Sequence, residues 1–317
     1  MNCKLFPPLS IYEQGQRDNQ EDALYPLHGE STANDRLFVL CDGMGGHERG
    51  EVASQTVSQA IGKYFREHIS LDEPFTDDQL RDALEYAYTQ LDQCDDGSPK
   101  KMGTTLTLLY IHARGITAAH IGDSRIYHIR PNVGVLYQSR DHSLVFDLFQ
   151  SGEITYDEMQ TSQQKNIITR AMQPGVDNRV RPDIIHITDI QPDDYFFLCS
   201  DGILENIDSS DLLFAIFSKE TDDESKHFVL FHGVKDNQDN HSAWIIHIKD
   251  VIHETGDETL VNEEPTVRCN AINIIRERLN EGKKDSSDDV VVVSPPKQNA
   301  SSSHMLLPKV LLGVLTL

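Results

Sequence analysis

Two stretches of this chain end in the same way. Leu37-Phe38-Val39-Leu40-Cys41 runs into Asp42-Gly43, and Tyr195-Phe196-Phe197-Leu198-Cys199 runs through Ser200 into Asp201-Gly202. Each is a short apolar run without helical spacing, the pattern of a buried strand. A carboxylate on the last rung of such a strand is expensive unless something neutralises it. The glycine that follows removes side-chain bulk, so a ligand or a second backbone can come close. A single Asp-Gly is an ordinary turn. Its repetition after two buried strands implies one shared polyanionic site, and gathered carboxylates hold together best around hard divalent cations.

Composition limits what that site can meet. The chain has 28 Lys and Arg against 51 Asp and Glu, a formal charge of −23, which disfavours a nucleic-acid backbone as partner. An anionic substrate needs a local metal or arginine site to overcome that field. With 317 residues, 38% of them hydrophobic, the chain can hold one large domain or two small ones with a real core. Cys3, Cys41, Cys94, Cys199 and Cys269 are odd in number and lack CxxC or Cys/His zinc spacing. They read as free thiols of a reducing, cytoplasmic protein. The N-terminal MNCKLFPPLS has no apolar signal-peptide core.

Along the chain, residues 10–22 read as an edge strand entering a polar turn. Residues 50–69 read as a helix with Val52, Val57, Ala60, Ile61, Tyr64 and Phe65 as its apolar stripe. A second helix starts at the N-caps Thr76 or Asp77 and runs to about Cys94, with Leu80, Ala83, Leu84, Ala87 and Leu91 inward. Strands follow at 104–113, 116–122 and 125–130, the first two joined tightly at Arg114-Gly115. Residues 141–172 turn helical and polar, as a small flap would. Further strands are expected at 183–187, 195–199 and 241–248, with helices at 209–217 and 223–233. Few crossover helices separate these strands, so the pattern favours antiparallel sheets covered by helices over a parallel doubly wound sheet. After Val251 an acidic, then Ser/Asp/Pro-rich stretch reads as a linker. It ends in MLLPKVLLGVLTL, shorter than the roughly 20 residues of a membrane span. That segment is compatible with docking on the domain, tethering to the inner membrane face, or beginning a longer span.

The acidic residues at strand ends and turns are Glu21, Asp22, Asp42, Asp123, Asp201 and Asp239. One alone is a turn cap. Together they suit magnesium or manganese, which take oxygen ligands and keep several waters. Two such ions bridged by one carboxylate can hold a hydroxide between them and clamp a phosphoryl group. Asp42 is the best bridge, because the glycines after it leave room for two ions. Arg17, four residues before Glu21, is suited to grip phosphoryl oxygens bidentately.

GQRDNQEDA, LCDGMGGHERGEVAS, MGTTLTLLYI, HIGDSRIYHIR, SRDHSLVFDLFQSGEIT, NIITRAM, LCSDGILENI and DNHSAWIIHI follow one another along residues 10–250. In this order they resemble the metal-dependent type 2C (PPM) Ser/Thr protein phosphatases, and DGMGGH resembles the bacterial branch. The resemblance implies an α+β fold: two packed antiparallel sheets flanked by helices, an α-β-β-α sandwich with a flap at about 141–172. It implies a phosphatase domain over residues 1–250 and a tail over 251–317. Asp42 then bridges two Mn2+ or Mg2+ ions and Gly43 lends its carbonyl. Asp201 and Asp239 bind the first ion, Glu21 holds the second through water, and Asp22 supports the same site. Asp123 and Asp201 bind a weaker third ion. Arg17 holds phosphate, and a metal-bridged hydroxide attacks phosphoserine or phosphothreonine of proteins, among them a Ser/Thr kinase or its targets. The alternative is a catalytically silent pseudophosphatase that binds phosphoproteins, but these members lose metal ligands that are present here.

Two departures stand out. Animal-type members carry a histidine at the position of Met44, which cannot donate a proton, so metal-bound water is the expected acid. His47, nearby, reads as a helix-start residue. The last motif has Asn240-His241-Ser242 where Asn, any residue and Thr are usual. Asp239 is preferred to Asp236 as the ligand because it directly precedes the terminal strand.

Overall fold

The computed structural model describes residues 2–252 apart from 46–48, 71–74, 100, 165–166 and 208. His47, Cys269 and the tail from residue 253 onward lie outside the described residues. In chain order the elements are β1 (Asn2–Leu5), β2 (Leu9–Glu13), β3 (Asp22–Tyr25), β4 (Leu37–Met44), α1 (Arg49–His68) and α2 (Asp77–Asp92). β5 (Gly103–Thr104), β6 (Leu106–His112), β7 (Gly115–Ile121), β8 (Arg125–Arg130) and β9 (Gly134–Gln138) follow. Then come α3 (Leu144–Ser151), α4 (Tyr156–Thr161), β10 (Asp183–Ile187), β11 (Tyr195–Cys199), α5 (Asp201–Leu204), α6 (Ser210–Phe217), α7 (Asp223–Val234) and β12 (His241–Ile252).

They form two antiparallel sheets. One runs β1-β12-β11-β8-β9 with β2 also on β12, the other β10-β7-β6-β4-β3 with β5 on β4. The apolar runs have no polar alternation because the central strands are covered on both faces. In β4, Phe38 and Leu40 point between the sheets, against Leu198, Trp244 and Ile246. Val39 and Cys41 point the other way, into a core with Val57 and Ile61 of α1 and Leu84 and Leu91 of α2. β11 repeats this: Phe196 and Leu198 face the other sheet, while Phe197 and Cys199 meet Leu213 of α6 and Leu230 of α7. The result is the α-β-β-α sandwich expected from the sequence. Cys41 and Cys199 are free, buried thiols within it.

Trp244 locks the sheets together. Its Nε1–H donates to the Val39 carbonyl at 3.1 Å, and its ring stands edge-on to Phe38 at 5.4 Å. Trp244→Phe should therefore destabilise the chain by about 2–4 kcal/mol through lost volume and the lost inter-sheet hydrogen bond. Urea unfolding followed by far-UV circular dichroism checks this, and an unchanged midpoint would contradict it.

Several boundaries differ from the sequence reading. β4 continues through Asp42 and Gly43 to Met44, because Gly43 and Met44 pair with β5. β1, β3 and β9 are additional strands, too short or too polar to show a period. Val52 is 42% exposed. The rest of the expected stripe holds, with Val57, Ala60, Ile61 and Phe65 buried and Tyr64 packed against the same core, and Gly50, Ala53, Ser54, Ser58 and Gly62 complete the buried face of α1. Small residues win there because helix and sheet approach closely: a Cβ on Gly62 would fall 2.2 Å from the Tyr25 ring. α2 starts with a Thr76–Gln79 capping box, as its N-cap predicted. Residues 141–172 carry α3 and α4 around a small core of Val145, Phe146, Phe149 and Met159. Among the described residues no helix is long and apolar enough to cross a membrane.

Candidate metal centre

The polar ends of the central strands converge. β3 and β4 place Asp22 and Asp42 in direct register. β11 ends at Ser200 and Asp201 opens α5, while Asp239 stands just before β12, the neighbour of β11. Hydrogen bonds to Asp22 join the two sheets here: Ser200 Oγ donates to Asp22 Oδ2 at 2.9 Å and Tyr12 Oη donates to the Asp22 carbonyl at 3.2 Å. The Asp42 carboxyl reaches that of Asp201 within hydrogen-bonding distance.

Backbone contacts fix each carboxylate. The Asp42 N–H donates to Thr105 Oγ1 at 3.0 Å. The Asp42 carbonyl accepts from the Thr105 N–H at 2.8 Å and from Thr104 Oγ1 at 2.9 Å. Asn240 ties down the loop that carries Arg17 and Glu21: its Oδ1 accepts from the Glu21 N–H at 2.8 Å. Its Nδ2 donates to the carbonyls of Gln14 at 2.8 Å and Asn19 at 2.9 Å. Arg17 Nη2 donates to Asp239 Oδ2 at 2.6 Å, while the Asp239 N–H donates to Glu205 Oε1 at 3.2 Å. Asp236 is exposed.

At Gly43 and Gly50 the missing side chains let backbone segments approach. A Cβ on Gly43 would lie 2.2 Å from the Gly50 carbonyl oxygen, and one on Gly50 would lie 2.7 Å from the Glu21 carboxyl carbon. With neither present, the Gly50 N–H reaches the Glu21 carboxylate.

The cluster is electrostatically frustrated as it stands. Burial, then Asp22, Asp201, Asp123 and Asp239, push the Asp42 carboxyl far above its ordinary range. Burial lifts Asp201 to about 6, with Asp239 adding to it. Burial lifts Asp22 to about 7, the Ser242 and then the Ser200 hydroxyl offsetting part and Asp201 and Asp239 adding. Burial lifts Asp123 to about 8, with Asp201 and Asp141 next. Glu21 is raised by burial, against the offset of Arg17 and the Gly50 N–H. Asp22 Oδ1 and Asp123 Oδ1 are buried without a hydrogen-bond partner. Orphaned buried oxygens in an all-oxygen donor set are what a hard divalent cation satisfies, so these residues fit magnesium or manganese.

The structure thus brings together Glu21, Asp22, Asp42, Asp123, Asp201, Asp239 and Arg17. Ser200, Thr105, Glu205 and Asn240 join the site through contacts that local sequence does not encode. Asn240 has one sequence signal, its place in the DNHSAW motif, whereas Thr105 and Ser200 sit inside strand-end motifs dominated by their carboxylates.

The family model for protein phosphatase 2C matches residues 13–228. Protein phosphatase PhpP of Streptococcus pneumoniae is 34% identical over 204 residues, covering 62% of this chain and 78% of that protein. Serine/threonine protein phosphatase PstP of Mycobacterium tuberculosis is 34% identical over 205 residues, 63% of this chain and 36% of that longer protein. Among solved structures, Stp1 of Staphylococcus aureus superposes with a TM-score of 0.65 at 29% identity, covering 78% of this chain and 98% of that one. The PstP catalytic domain in complex with two manganese ions gives 0.62 at 28% identity, covering 78% and 100%. The chain belongs to the bacterial branch of the type 2C (PPM) family and is a protein-serine/threonine phosphatase.

Proposed function

We propose that this chain hydrolyses phosphoserine and phosphothreonine on proteins with two divalent cations, Mn2+ or Mg2+, held by Asp42, Asp201, Asp239 and, at longer reach, Glu21. The observation that carries the reading is the convergence of buried, mutually repelling carboxyls, two of their oxygens orphaned, with Arg17 paired to Asp239 of the same cluster. Gly43 offers its backbone carbonyl to the same place, and Asp22 holds the geometry through Ser200. Asp123 and Asp201 form a third, weaker site. When bound, the cations supply a water acidified for attack and positive charge for the phosphoryl oxygens.

The chain's own residues do the rest. Arg17, now paired with Asp239, turns its guanidinium to two phosphoryl oxygens and sets the phosphorus over the carboxylates. Asn240 keeps that loop in register with β12. Met44 has no proton to give, so the leaving serine or threonine oxygen takes its proton from water. The described site holds no nucleophilic side chain in place for a phospho-enzyme, which favours direct attack by water. A silent pseudophosphatase would lack one or more of these carboxylates, and all are here. Natural substrates in this reading are cytoplasmic phosphoproteins, including a Ser/Thr kinase.

Phosphate release from a phosphothreonine peptide, with and without Mn2+, tests the reading. Activity should need the metal, and metal-independent turnover would end the proposal. Arg17→Ala should lower kcat/KM by about 10–100-fold, the worth of hydrogen bonds to a charged group. A smaller loss would remove Arg17 from the phosphate site.

A further inference from the structure

A second set of ligand-type side chains lies beside the carboxylate cluster. His120, His142 and Asp183 each bring one ligand-type atom to within 4.8 Å of the others. The hydrogen bonds exclude a cation shared by all three. The Gly122 N–H can only donate, and it points at His142 Nδ1 at 3.1 Å. His142 Nδ1 is therefore an acceptor and the proton sits on Nε2, which lies 3.3 Å from both Asp183 Oδ2 and Arg170 Nη1; the guanidinium can only donate, so the Nε2 proton goes to Asp183 and the Arg170 contact is not a hydrogen bond. A metal on that Nε2 would require an imidazolate. His120 and His142 are moreover stacked, centroids 4.6 Å apart at 14°, so their in-plane lone pairs cannot aim at one ion. Arg170 Nη1 already fills the cationic place, 3.0 Å from Asp183 Oδ1.

What the arrangement does is grip one turn. The His142 ring accepts the Gly122 N–H, and the His142 backbone N–H donates to the Gly122 carbonyl at 2.9 Å. Gly122 has φ +104°, a conformation that needs holding, and its neighbour is Asp123, with Oδ1 buried and unpartnered. His142 is itself 1% exposed. On its far side it is fixed by the Thr169 N–H on its carbonyl at 2.8 Å and by Asp183 on Nε2.

We propose that His142 is a positioning residue: through its Nδ1 acceptor on Gly122 it aims the Asp123 carboxylate and so sets the affinity of the most weakly held cation. This rests on the phosphatase reading, in which Asp123 and Asp201 hold that cation. The single atom responsible is Nδ1, which separates this role from general packing. Asparagine at 142 places an oxygen acceptor near Nδ1 but loses Asp183; glutamine keeps a donor near Nε2 but loses Gly122.

The test is calorimetric titration with Mn2+ of the wild type, His142→Asn, His142→Gln, Asp123→Ala, and the His142→Gln/Asp123→Ala pair. The weakest class of sites should stay near wild type in His142→Asn and weaken by about 10–100-fold in His142→Gln, the usual effect of losing a group that orients a ligand. In the Asp123→Ala background, His142→Gln should add nothing. Equal effects of Asn and Gln, or additive losses in the pair, would overturn the role of His142 while leaving the phosphatase reading intact. A wild type that binds no Mn2+ would overturn both. Should His142→Gln not fold, Asp183→Ala, which keeps the Gly122 contact, takes its place. It should lower the melting temperature and leave the weakest Mn2+ class unchanged; a tenfold loss there would refute the proposal.

Discussion

Asp42→Asn should abolish phosphatase activity and, in the absence of metal, make the protein more stable. The first effect is expected at about a thousandfold or more in kcat/KM, at the upper end of what one preorganised electrostatic group contributes. Asp42 lies at the centre of the cluster, with its backbone gripped by Thr104 and Thr105 and its carboxyl against Asp201. Asparagine keeps the shape and removes the charge. The second effect follows from the same geometry. Burial, then Asp22, Asp201, Asp123 and Asp239, hold the Asp42 carboxyl far above its ordinary range, so folding without metal must keep on it a proton that the unfolded chain has lost, and asparagine removes that cost. Turnover with Mn2+ and melting in EDTA measure the two halves. An active variant would remove Asp42 from the reaction, and a lower melting temperature in EDTA would deny the repulsion.

Stripping the metal should also give the protein an unusual pH profile. Asp22 is lifted to about 7 and Asp123 to about 8, from an ordinary 3.8. With folded values raised, the folded chain keeps protons that the unfolded chain has already lost. Stability from these groups is then full below the ordinary value and is lost as pH rises through about 7 and 8. Buried His112 and His120, both lowered to about 4, have the opposite sign, since the folded state resists their charging. Their effect is over by about pH 6.5, where the unfolded imidazole titrates. Between pH 6.5 and 8 the carboxyls act alone. At about 1.4 kcal/mol per unit, the melting temperature in EDTA should fall by about 5 °C over that window. Saturating Mn2+ should abolish or reverse the fall, because the cation replaces the protons and binds more tightly as they leave. Calorimetry at several pH values with EDTA and with Mn2+ checks both limbs. A flat EDTA profile would mean that the carboxyls share no charge.

The two halves of the site differed in how openly the sequence showed them. The strand-end aspartates were visible because a charge after a buried apolar run is locally anomalous. Asp42 and Asp201 carry that anomaly by themselves, and Asp239 needed only the start of a final strand. Asn240 and Ser200 have nothing anomalous about them. Each matters through residues far away in sequence, Asn240 through Gln14, Asn19 and Glu21, and Ser200 through Asp22. The one misassigned position on α1, Val52, has a related cause. Hydrophobicity favoured Val52, but the distance to β3 and β4 favoured glycine, alanine and serine, and close approach decided.

By itself the sequence determined the kind of chemistry: a surplus of acids, apolar runs ending in carboxylates, and an arginine four residues before Glu21. It also determined the layering, since runs without alternation must be covered on both faces. Only the tertiary structure decided which partners each group has. Register put Asp22 opposite Asp42, the missing side chains of Gly43 and Gly50 let two backbones touch, and His142 was assigned a proton by an amide twenty residues away. Local chemistry is written in neighbouring residues, whereas ionisation and aim depend on distances of a few ångströms between segments that the chain order keeps far apart.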